Sequence, residues 1–394
     1  MLHAAEVAAL ARADALGAAG LGTTSPNPSV GCVLLSADGA VIGEGATEPP
    51  PGRHAEVVAL ASAGPAARGS TAVVTLEPCR HEGRTPPCTD ALVAAGVVRL
   101  VYAAADPHAE AGGGAQVLAA AGIDVEAAGA DAAPSLRPWL TATRRGRPYV
   151  TLKTATTLDG RVAAPDGSSR WITGPAARAD GHRLRARVDA VVVGSGTVIA
   201  DDPALTVRDV GLDRLPLRVV VDRRGRTPAD ARVRDASAPT LITAAEPAAL
   251  LADLFALGVR HVLIEGGPTL AGAFVGAGLV DELVGYIAPA LLGAGPSSVV
   301  LAASSISDAV RLEVADVTVV GPDVRVTARW GKDATPEWRP GCRQRAEVLS
   351  PSCSPGSSRS SAASSLSSRT ATACACPCTG PWSPRTPTTA TRSP

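Results

Sequence analysis

The sequence predicts an α/β protein with two folded domains and a C-terminal tail that does not fold. Two observations predict the domains. The 394 residues are enough for two domains of ordinary size, and strand-like runs alternate with helix-like runs along most of the chain. The tail is predicted because the composition shifts to Ser, Thr, Pro and Arg after about residue 332. We therefore expect domains over 1–145 and 146–332 and a tail over 333–394.

The first region begins with a predicted amphipathic helix. Glu6, Arg12 and Asp14 interrupt its apolar pattern, which argues against a signal peptide. The next runs are the strand VGCVLLS, the helix AEVVALASAG, the strand TAVVTLEP, the helix TDALVAAG and the strand VRLVYAAADP. Helices of this length between strands predict a sheet covered by helices.

A basic join, TRRGRPYVTLK, leads to a second α/β region. Its apolar runs are AVVVGSG, LRVVVD, PTLITA and HVLIEGG, followed by a Gly- and Ala-rich segment from Pro268 to Leu292. The longest uncharged stretch, 283–307, contains Pro289, Pro296 and two neighbouring glycines. We therefore do not interpret it as a membrane span.

The overall charge favours neither nucleic acid nor an anionic membrane as a partner. Lys plus Arg and Asp plus Glu balance at 37 each. With no export signal, we expect a cytoplasmic protein. In that compartment a cysteine pair is more often a metal or catalytic pair than a disulfide. Of the eight cysteines, only Cys32, Cys79 and Cys88 precede the tail region, so a metal site in the folded part must use these three.

The tail is too polar to form a hydrophobic core. Its Ser-, Thr- and Pro-rich composition buries too little apolar surface to offset chain entropy, so we predict disorder. The run CACPC is a candidate metal tract without an ordered scaffold. A non-native reading frame in GC-rich coding sequence would give the same composition. We assign the tail no function.

The first candidate site combines a histidine, a glutamate and two cysteines. His54 and Glu56 begin a helix-like run, Cys79 follows Pro78, and Cys88 lies nine positions further on. One imidazole and two thiolates provide three zinc ligands, which leaves the fourth tetrahedral position for water, as in a catalytic site. Zinc lowers the pKa of water towards neutrality, and Glu56 can move its proton. Zinc nucleobase deaminases have this H-x-E and P-C-x-x-C pattern, with a shorter cysteine spacing.

Two neighbouring features have simpler interpretations. A second His-Ala-Glu, His108 to Glu110, precedes three glycines and has no cysteine after it before Cys342, so we do not expect a metal there. Cys32 lies in an apolar strand and is interpreted as a small buried hydrophobic residue. The insert from Gly83 to Pro87, between the two cysteines, is predicted to be a substrate-facing loop.

The second region lacks a Rossmann dinucleotide-binding fingerprint. Gly194 and Gly196 would require a third glycine where Ile199 stands. The run IEGGPTLAGAF is a better candidate, because a helix N-terminus after a glycine turn suits a phosphate. On its own this signal is weak, since many such turns are ordinary tight loops. The acidic run Asp201-Asp202-Pro203 is interpreted as a turn at a helix end, and we predict no second metal site.

Several motifs together resemble the bifunctional deaminase/reductase family of riboflavin biosynthesis. They are SPNPSVGCVLL, HAEVVAL, TLEPCRHEGRTPPCTDAL, LKTATTLDGRVA, GSSRWITG, GSGTVIADDPALTVR and EGGPTLAGAF. The resemblance extends to about Trp330. It implies a cytidine-deaminase-like αβα domain followed by a dihydrofolate-reductase-like α/β domain, with Zn²⁺ and NADPH as cofactors. It also implies deamination of 2,5-diamino-6-(5-phosphoribosylamino)pyrimidin-4-one, followed by reduction of the ribosyl group of the resulting uracil to ribityl.

The resemblance implies roles for individual residues. In the first domain the zinc ligands are His54, Cys79 and Cys88, the proton shuttle is Glu56, and Asn27 lies beside the substrate. The implied cofactor-facing residues of the second domain are Ala155, Trp171, Thr197, Asp201, Gly267, Pro268, Thr269, Leu270, Ala271, Gly272 and Ala273. The implied substrate-facing residues are Ser169, Arg185, Leu205, Arg208 and Glu265. Arginine suits a sugar phosphate because it donates two parallel hydrogen bonds. We add Arg223, or its neighbour Arg224, as the cation that recognises the NADPH 2′-phosphate.

Two other hypotheses remain. A nucleic-acid or nucleoside deaminase with an accessory C-terminal domain would need a basic groove and stacking side chains if it acted on nucleic acid. The balanced charge and 3% aromatic content argue against that. A non-catalytic zinc scaffold would not need Glu56. We expect small-molecule phosphoribosylaminopyrimidine substrates and neither a nucleic-acid nor a membrane partner, and we leave a homo-oligomer open.

Overall fold

The computed structural model describes residues 2–83, 86–208 and 215–330. This part of the chain contains a five-stranded sheet formed by residues 31–127 and an eight-stranded sheet formed by residues 149–329. Arg84 and Thr85, within the insert between the cysteines, lie outside the described residues. So does the tail that the sequence predicts from residue 333.

The first sheet has the strand order β2-β1-β3-β4-β5. Strand β1 is antiparallel to β2 and β3, whereas β3, β4 and β5 run parallel. The strands are β1 (Gly31–Leu35), β2 (Val41–Ala46), β3 (Thr71–Leu76), β4 (Arg99–Ala104) and β5 (Asp124–Ala127). The helices of this part are α1 (Ala4–Ala19), α2 (Ala55–Ala63), α3 (Cys88–Ala95), α4 (Gly114–Ala120) and α5 (Arg137–Arg145).

The sequence correctly predicts α1, β1, α2, β3, α3 and β4. All five residues of β1 are buried, as expected for a central strand with helices on both faces. Strand β2 was missed because its run, VIGEGA, contains two glycines and a glutamate in place of an alternating apolar pattern.

The two glycines of β2 bring α2 against the sheet. A Cβ at Gly45 would lie 2.4 Å from the Ala55 carbonyl oxygen and 2.4 Å from the Ala59 amide nitrogen. A Cβ at Gly43 would lie 2.6 Å from the Ala59 carbonyl oxygen. The backbone of α2 therefore packs directly on β2, and this close packing fixes where the first turn of α2 lies.

The second sheet has the strand order β12-β13-β11-β6-β10-β7-β8-β9. Its strands are β6 (Tyr149–Thr157), β7 (Ala190–Gly194), β8 (Leu217–Val221), β9 (Thr240–Thr243), β10 (His261–Ile264), β11 (Glu282–Ala288), β12 (Glu313–Val320) and β13 (Asp323–Arg329). Pairing is parallel from β11 through β6 to β9, and antiparallel among β11, β13 and β12. The helices are α6 (Pro175–Ala186), α7 (Ser195–Asp201), α8 (Pro247–Ala256) and α9 (Pro268–Gly276).

The basic join contains the start of a central strand. Strand β6 begins at Tyr149, inside the run TRRGRPYVTLK, and pairs with both β10 and β11. The buried carboxylate of Asp281 accepts hydrogen bonds from the Arg147 guanidinium at 2.7 Å and from the Val150 amide at 2.8 Å, and it also pairs with Arg145. These contacts hold the passage between the sheets in place.

Short 3-10 helices fill several connections. They cover Gly64–Ala67, Ala130–Ala132, Pro134–Leu136, Arg232–Arg234 and Ile306–Asp308. No helix within residues 2–83, 86–208 and 215–330 has both the length and the apolar character needed to cross a membrane.

Two candidate active sites

The first site forms where two helices begin beside the end of a strand. His54 is the residue immediately before α2, Glu56 lies in the first turn of α2, and Cys88 is the first residue of α3. Cys79 lies in the loop after β3. Helix N-termini carry partial positive charge, so this position favours thiolates and a carboxylate.

The three predicted zinc ligands converge. His54 Nδ1 lies 3.3 Å from Cys88 Sγ and 3.6 Å from Cys79 Sγ. The backbone amide of Cys88 lies 3.4 Å from Cys79 Sγ, to which it donates. One ligand atom from each residue lies within 4.8 Å of the others. One imidazole and two sulfurs at this spacing fit a zinc ion and leave a fourth position for water.

The electrostatics of this cluster favour a thiolate. Hydrogen bonding with Cys88 is the largest influence on Cys79 and, with help from His54, lowers the pKa of Cys79 to about 4 against the opposing effect of burial. The hydrogen bond with Cys79 and burial raise the pKa of Cys88. Burial also raises the pKa of Glu56, and the nearby Cys79 charge adds to this rise. The site thus places a buried acid–base group beside the metal ligands.

A cavity of about 710 Å³ opens onto the cluster. His54, Glu56 and Cys79 form part of its wall, as does the predicted substrate neighbour Asn27. Gly83, at the start of the predicted substrate-facing insert, also lines it. The cavity is large enough for a small-molecule substrate.

The second His-Ala-Glu motif lines the same cavity, which the sequence did not predict. His108 lies against the indole of Trp139, with ring centroids 5.6 Å apart, and both face the cavity. The Glu77 carboxylate holds the loop that carries His108, since it accepts the amide hydrogens of Asp106 at 3.1 Å and Ala115 at 2.9 Å. No local pattern shows this arrangement, because Trp139 comes from α5, far along the chain from the metal ligands.

The backbone of Arg80 also fixes this loop. Its amide donates to the Ala111 carbonyl at 3.2 Å, and its guanidinium donates to the Ala109 carbonyl at 3.1 Å. The residue directly after a predicted metal ligand therefore holds the part of the cavity wall that contains Ala109 and Ala111.

The second candidate site contains a buried ion pair between two residues that the family resemblance implies face the substrate. Arg185, near the end of α6, makes two hydrogen bonds to Glu265, which follows β10, and one of them measures 2.9 Å. Arg185 also donates to the Thr206 carbonyl at 2.9 Å. Lys153 of β6 lies 3.8 Å from the Glu265 carboxylate and was not predicted. Groups of the protein itself therefore accept most of the hydrogen bonds that the Arg185 guanidinium can donate.

Glu265 is held as a carboxylate. Burial alone would raise its pKa, but the positive charges of Arg185 and Lys153 outweigh burial and lower the pKa to about 2. The family resemblance pointed to Glu265 but not to Lys153, which comes close to it because β10 and β6 become neighbours through sheet pairing.

The predicted cofactor segment, from Gly267 to Ala273, has a partly exposed beginning and a more buried remainder. Gly267, Pro268 and Thr269 lie at least partly exposed at the start of α9, where a Cβ on Gly267 would lie 3.3 Å from Thr197 Oγ1. The first amide groups of a helix have no partner within it, so this end suits the phosphate of a dinucleotide such as NADPH.

The rest of the predicted cofactor segment packs inward. Leu270 and Ala271 belong to the hydrophobic core, and a Cβ on Gly272 would lie 1.9 Å from the Val300 carbonyl oxygen. Ala273 is half-buried. The side chains of Leu270 and Ala271 therefore have a packing role, and Gly272 allows the close approach of another backbone.

Other predicted residues group around the end of α7. Ser169 Oγ lies 3.5 Å from an Asp201 carboxylate oxygen, and Arg170 donates to the Asp201 carbonyl. Trp171 is 69% exposed, with the Arg178 guanidinium 4.6 Å from its ring centroid. The neighbouring Asp202 accepts the Arg232 amide hydrogen at 2.8 Å, which gives it a structural partner.

The remaining predicted residues lie in different surroundings. Ala155 packs beside Tyr286 on the second sheet. Leu205 is buried in the core and has a positive φ of 52°. Arg208 is exposed. Arg223 is exposed and pairs with Glu246 at the surface.

Two family models match this chain. Residues 6–104 match the zinc-binding region of cytidine and deoxycytidylate deaminases. Residues 148–326 match the RibD C-terminal domain. The first match contains His54, Glu56, Cys79 and Cys88.

Relatives match over both parts of the chain. A riboflavin biosynthesis protein RibD from Mycobacterium tuberculosis is 51% identical over 313 residues, which cover 77% of this chain and 91% of that protein. The protein of the same name from Escherichia coli K12 is 41% identical over 355 residues, covering 80% and 96%.

Solved structures agree with the fold. RibD from Acinetobacter baumannii has a TM-score of 0.77 at 39% identity and covers 83% of this chain and 99% of its own. A diaminohydroxyphosphoribosylaminopyrimidine deaminase/5-amino-6-(5-phosphoribosylamino)uracil reductase from Thermotoga maritima also has a TM-score of 0.77, at 31% identity with the same coverage. The predicted fold class is confirmed: a cytidine-deaminase-like domain precedes a RibD C-terminal domain of the dihydrofolate-reductase type.

Proposed function

This chain belongs to the RibD family of bifunctional riboflavin-biosynthesis enzymes, and from that premise we propose which residues carry each of its two reactions. The chain is a zinc-dependent deaminase and an NADPH-dependent reductase. The alternative of a nucleic-acid deaminase with an accessory domain is not favoured, because the second half of the chain matches a reductase.

The proposed first reaction is hydrolytic deamination of 2,5-diamino-6-(5-phosphoribosylamino)pyrimidin-4-one. His54, Cys79 and Cys88 hold zinc, and Glu56 moves the proton. When bound, zinc supplies a Lewis acid that lowers the pKa of water towards neutrality. The Glu56 carboxylate accepts a proton at one oxygen and delivers it to the departing amine. Asn27 orients the pyrimidine within the cavity. The observation that carries this assignment is the buried Glu56 beside a three-ligand cluster at the floor of a 710 Å³ cavity.

Replacing Glu56 by Gln tests the first assignment. The amide keeps the shape of the side chain but cannot accept a proton, so we expect deaminase kcat to fall by a factor of about 10²–10⁴. Zinc content, measured by elemental analysis, is expected to stay at the wild-type level. Glu44→Gln is the matched control, since Glu44 forms a surface pair with Arg12 outside the cavity. Unchanged deamination in zinc-loaded Glu56→Gln would refute the role.

The proposed second reaction is reduction of the ribosyl group of 5-amino-6-(5-phosphoribosylamino)uracil. When bound, NADPH supplies the hydride. Thr197 and Asp201 border the cofactor together with Ala155, Trp171 and the segment from Gly267 to Ala273. Ser169, Arg208 and the backbone near Leu205 border the substrate, while the Arg185–Glu265 pair and Lys153 form a charged floor that positions it. The satisfied state of Arg185 supports a positioning role, and it leaves Arg208 as the proposed phosphate contact.

The Arg223 assignment has a direct test in cofactor preference. Arg223→Gln is expected to raise the KM for NADPH about tenfold, because a charge-assisted hydrogen bond to the 2′-phosphate is lost. The KM for NADH, which lacks that phosphate, is expected not to change. Arg224→Gln is the neighbouring control. If Arg224→Gln alone lowers the preference for NADPH, the assignment belongs to Arg224.

We also propose the domain limits and the compartment. The boundary falls near residue 145, between α5 and β6, and separates a deaminase domain over 1–145 from a reductase domain over 146–332. Cytoplasmic residence is supported by free Cys32, Cys79 and Cys88 among the described residues, two of which the zinc site needs reduced.

A homo-oligomer that forms through β12 is the proposed quaternary state. Strand β12 is at the edge of the second sheet, and Val314, Val317 and Val319 on it are at least 60% exposed. Exposed apolar edge strands tend to pair with another chain. Light scattering after chromatography is expected to show a dimer, and a Val317→Lys, Val319→Lys double variant is expected to be monomeric. A monomeric wild type would refute this proposal.

A further inference from the structure

A second cavity lies between the two sheet-bearing parts of the chain, apart from both candidate active sites. Its volume is about 270 Å³. One wall comes from α1 and from the segment that begins α5, including Ser135 and Arg137. The opposite wall comes from β6, the end of α6 and the start of β10, including Tyr149, Arg187 and His261. Neither proposed reaction uses these residues.

Two hydroxyl groups at this cavity lack hydrogen-bond partners among the described residues, and one of them, that of Ser135, is buried. Ser135 is 7% exposed, and its Oγ has no partner among the described residues. Tyr149 is 3% exposed, and within the same residues its hydroxyl makes no hydrogen bond either. Leaving a buried hydroxyl unpaired is unfavourable, and nearly all such groups in proteins have a partner. These two donors therefore point to a polar occupant.

The charges around the cavity leave a positive surplus. Arg329 is neutralised by Glu282 at 3.0 Å. The Asp14 carboxylate accepts the Ser135 amide hydrogen at 3.0 Å and keeps its negative charge, so it offsets one of the two remaining arginines and leaves a surplus of one positive charge. The guanidinium of Arg187 has no carboxylate partner in the described part of the chain.

The remaining basic residues of the cavity do not change this balance. Arg137 has only Asp131, 3.8 Å away and 97% exposed, so this pair is weak. Burial, aided by the charge of Arg187, lowers the pKa of His261 to about 3, so its ring is neutral near pH 7. Arg137 and Arg187 are thus the cations available to a ligand.

We propose that this cavity binds a small phosphate-bearing anion, held by Arg137 and Arg187 and by the hydroxyls of Ser135 and Tyr149. Two guanidinium groups and two hydroxyl donors match the several acceptor oxygens of a phosphate better than the two of a carboxylate. The volume exceeds what phosphate alone needs and leaves room for a small organic part. The ligand is either free phosphate or a sugar phosphate.

The second cavity is connected to the charged cluster of Lys153, Arg185 and Glu265 through two shared elements. Arg187 directly follows α6, two residues after Arg185. His261 begins β10, and Glu265 follows the end of the same strand. An occupant that fixes Arg187 would therefore restrain the element that carries Arg185. We therefore expect the KM of the reductase for its uracil substrate to change when this cavity is occupied. Only this kinetic expectation rests on the proposed function.

Calorimetric titration of the full zinc-loaded chain, once with inorganic phosphate and once with ribose 5-phosphate, tests the binding site directly. Arg187→Gln is expected to weaken one binding component about tenfold, since a charge-assisted contact is removed. Tyr149→Phe is expected to weaken the same component less, and Arg187→Lys to restore part of it. Arg68→Gln, at an exposed arginine that lines neither cavity, is the control and should bind as wild type does.

The outcomes distinguish the two phosphate sources. An Arg187-dependent component for inorganic phosphate alone supports free phosphate as the ligand, and a tighter one for ribose 5-phosphate supports a sugar phosphate. If neither probe shows a component that Arg187→Gln weakens, the proposal is overturned. Because Arg187 is exposed, Arg187→Gln should unfold at the same temperature as wild type. Equal unfolding temperatures would exclude misfolding as the cause of any loss of binding.

Discussion

Glu265 connects the charge of the second site to the stability of the protein. Its pKa in the folded chain is about 2, below the ordinary value of 4.5, because Arg185 and Lys153 outweigh the effect of burial. A carboxyl with a lowered folded pKa adds stability that is fully present above its unfolded pKa and is lost as the pH falls through the folded pKa.

We therefore predict an acid-sensitive reductase part. As the pH falls from about 6 to about 2, protonation of Glu265 should lower the free energy of unfolding of the reductase part by on the order of 3 kcal/mol. Denaturant unfolding of wild type and Glu265→Gln across this range measures the effect. The difference between the two proteins should shrink as the pH falls. A difference that stays constant would show that Glu265 does not titrate with a lowered pKa.

Arg218 illustrates a buried cation with a structural role that the sequence gives no reason to suspect. Its side chain is fully buried. It donates hydrogen bonds to the Asp235 carboxylate at 2.8 Å and to backbone carbonyls, two of them at 2.6 Å. One further contact is the Ala204 carbonyl, next to Leu205 in the proposed substrate loop. Arg218 therefore fastens that loop to strand β8.

We predict that Arg218→Met destabilises the reductase part by about 1–3 kcal/mol, because several backbone carbonyls and the half-exposed Asp235 carboxylate lose the donor that they share. Arg223→Met is the matched control. Its surface pair with Glu246 should contribute no more than about 1 kcal/mol. Chemical denaturation of both variants measures the contrast, and equal effects would contradict the structural role.

At the residue scale, the sequence could predict the zinc ligands but not the rest of their surroundings. His54, Glu56, Cys79 and Cys88 carry a spacing that few other sites share. His108 and Trp139 enter the cavity from later segments, so no local spacing reveals them. Lys153 was missed for the same reason, since its partner Glu265 directly follows strand β10, more than a hundred residues later.

At the scale of elements, the packing of α2 on β2 sets the position of His54 and Glu56. Gly45 allows this packing, because a Cβ there would lie 2.4 Å from two backbone atoms of α2. We predict that Gly45→Ala destabilises the deaminase part by about 1–3 kcal/mol through overpacking. Gly196→Ala is the control, as its Cβ would meet no atom within 4 Å, and alanine should stabilise helix α7 slightly.

Thermal unfolding of the two glycine variants measures this contrast. If Gly45→Ala is as stable as wild type, then α2 can shift away from the sheet without cost. The same glycines explain why β2 escaped prediction: the residues that let the helix approach also remove the apolar alternation by which a strand is recognised.

Strands that carry continuous valine and leucine runs were predicted well, because both faces of a parallel sheet are buried. Strands β12 and β13 were not, since β12 is exposed along most of its length and reads as a mixed polar segment. The basic composition of the join before β6 predicts a linker. Those arginines are instead used to bind Asp281.

At the scale of the whole molecule, two sites lie on two separate sheets of one chain. The metal ligands belong to the first sheet and its helices, and the charged floor of Lys153, Arg185 and Glu265 belongs to the second. No described residue is shared between the two clusters. A substitution that abolishes the activity of one site should therefore leave the activity of the other site unchanged.

The most direct test of this account is a paired assay of wild type and Cys88→Ser. One arm follows deamination of the diaminopyrimidine, and the other follows NADPH oxidation with 5-amino-6-(5-phosphoribosylamino)uracil supplied directly. We predict that Cys88→Ser loses zinc and deamination but reduces the uracil at the wild-type rate. Deamination that survives the loss of zinc, or reduction that is lost together with deamination, would contradict the assignment of two independent sites.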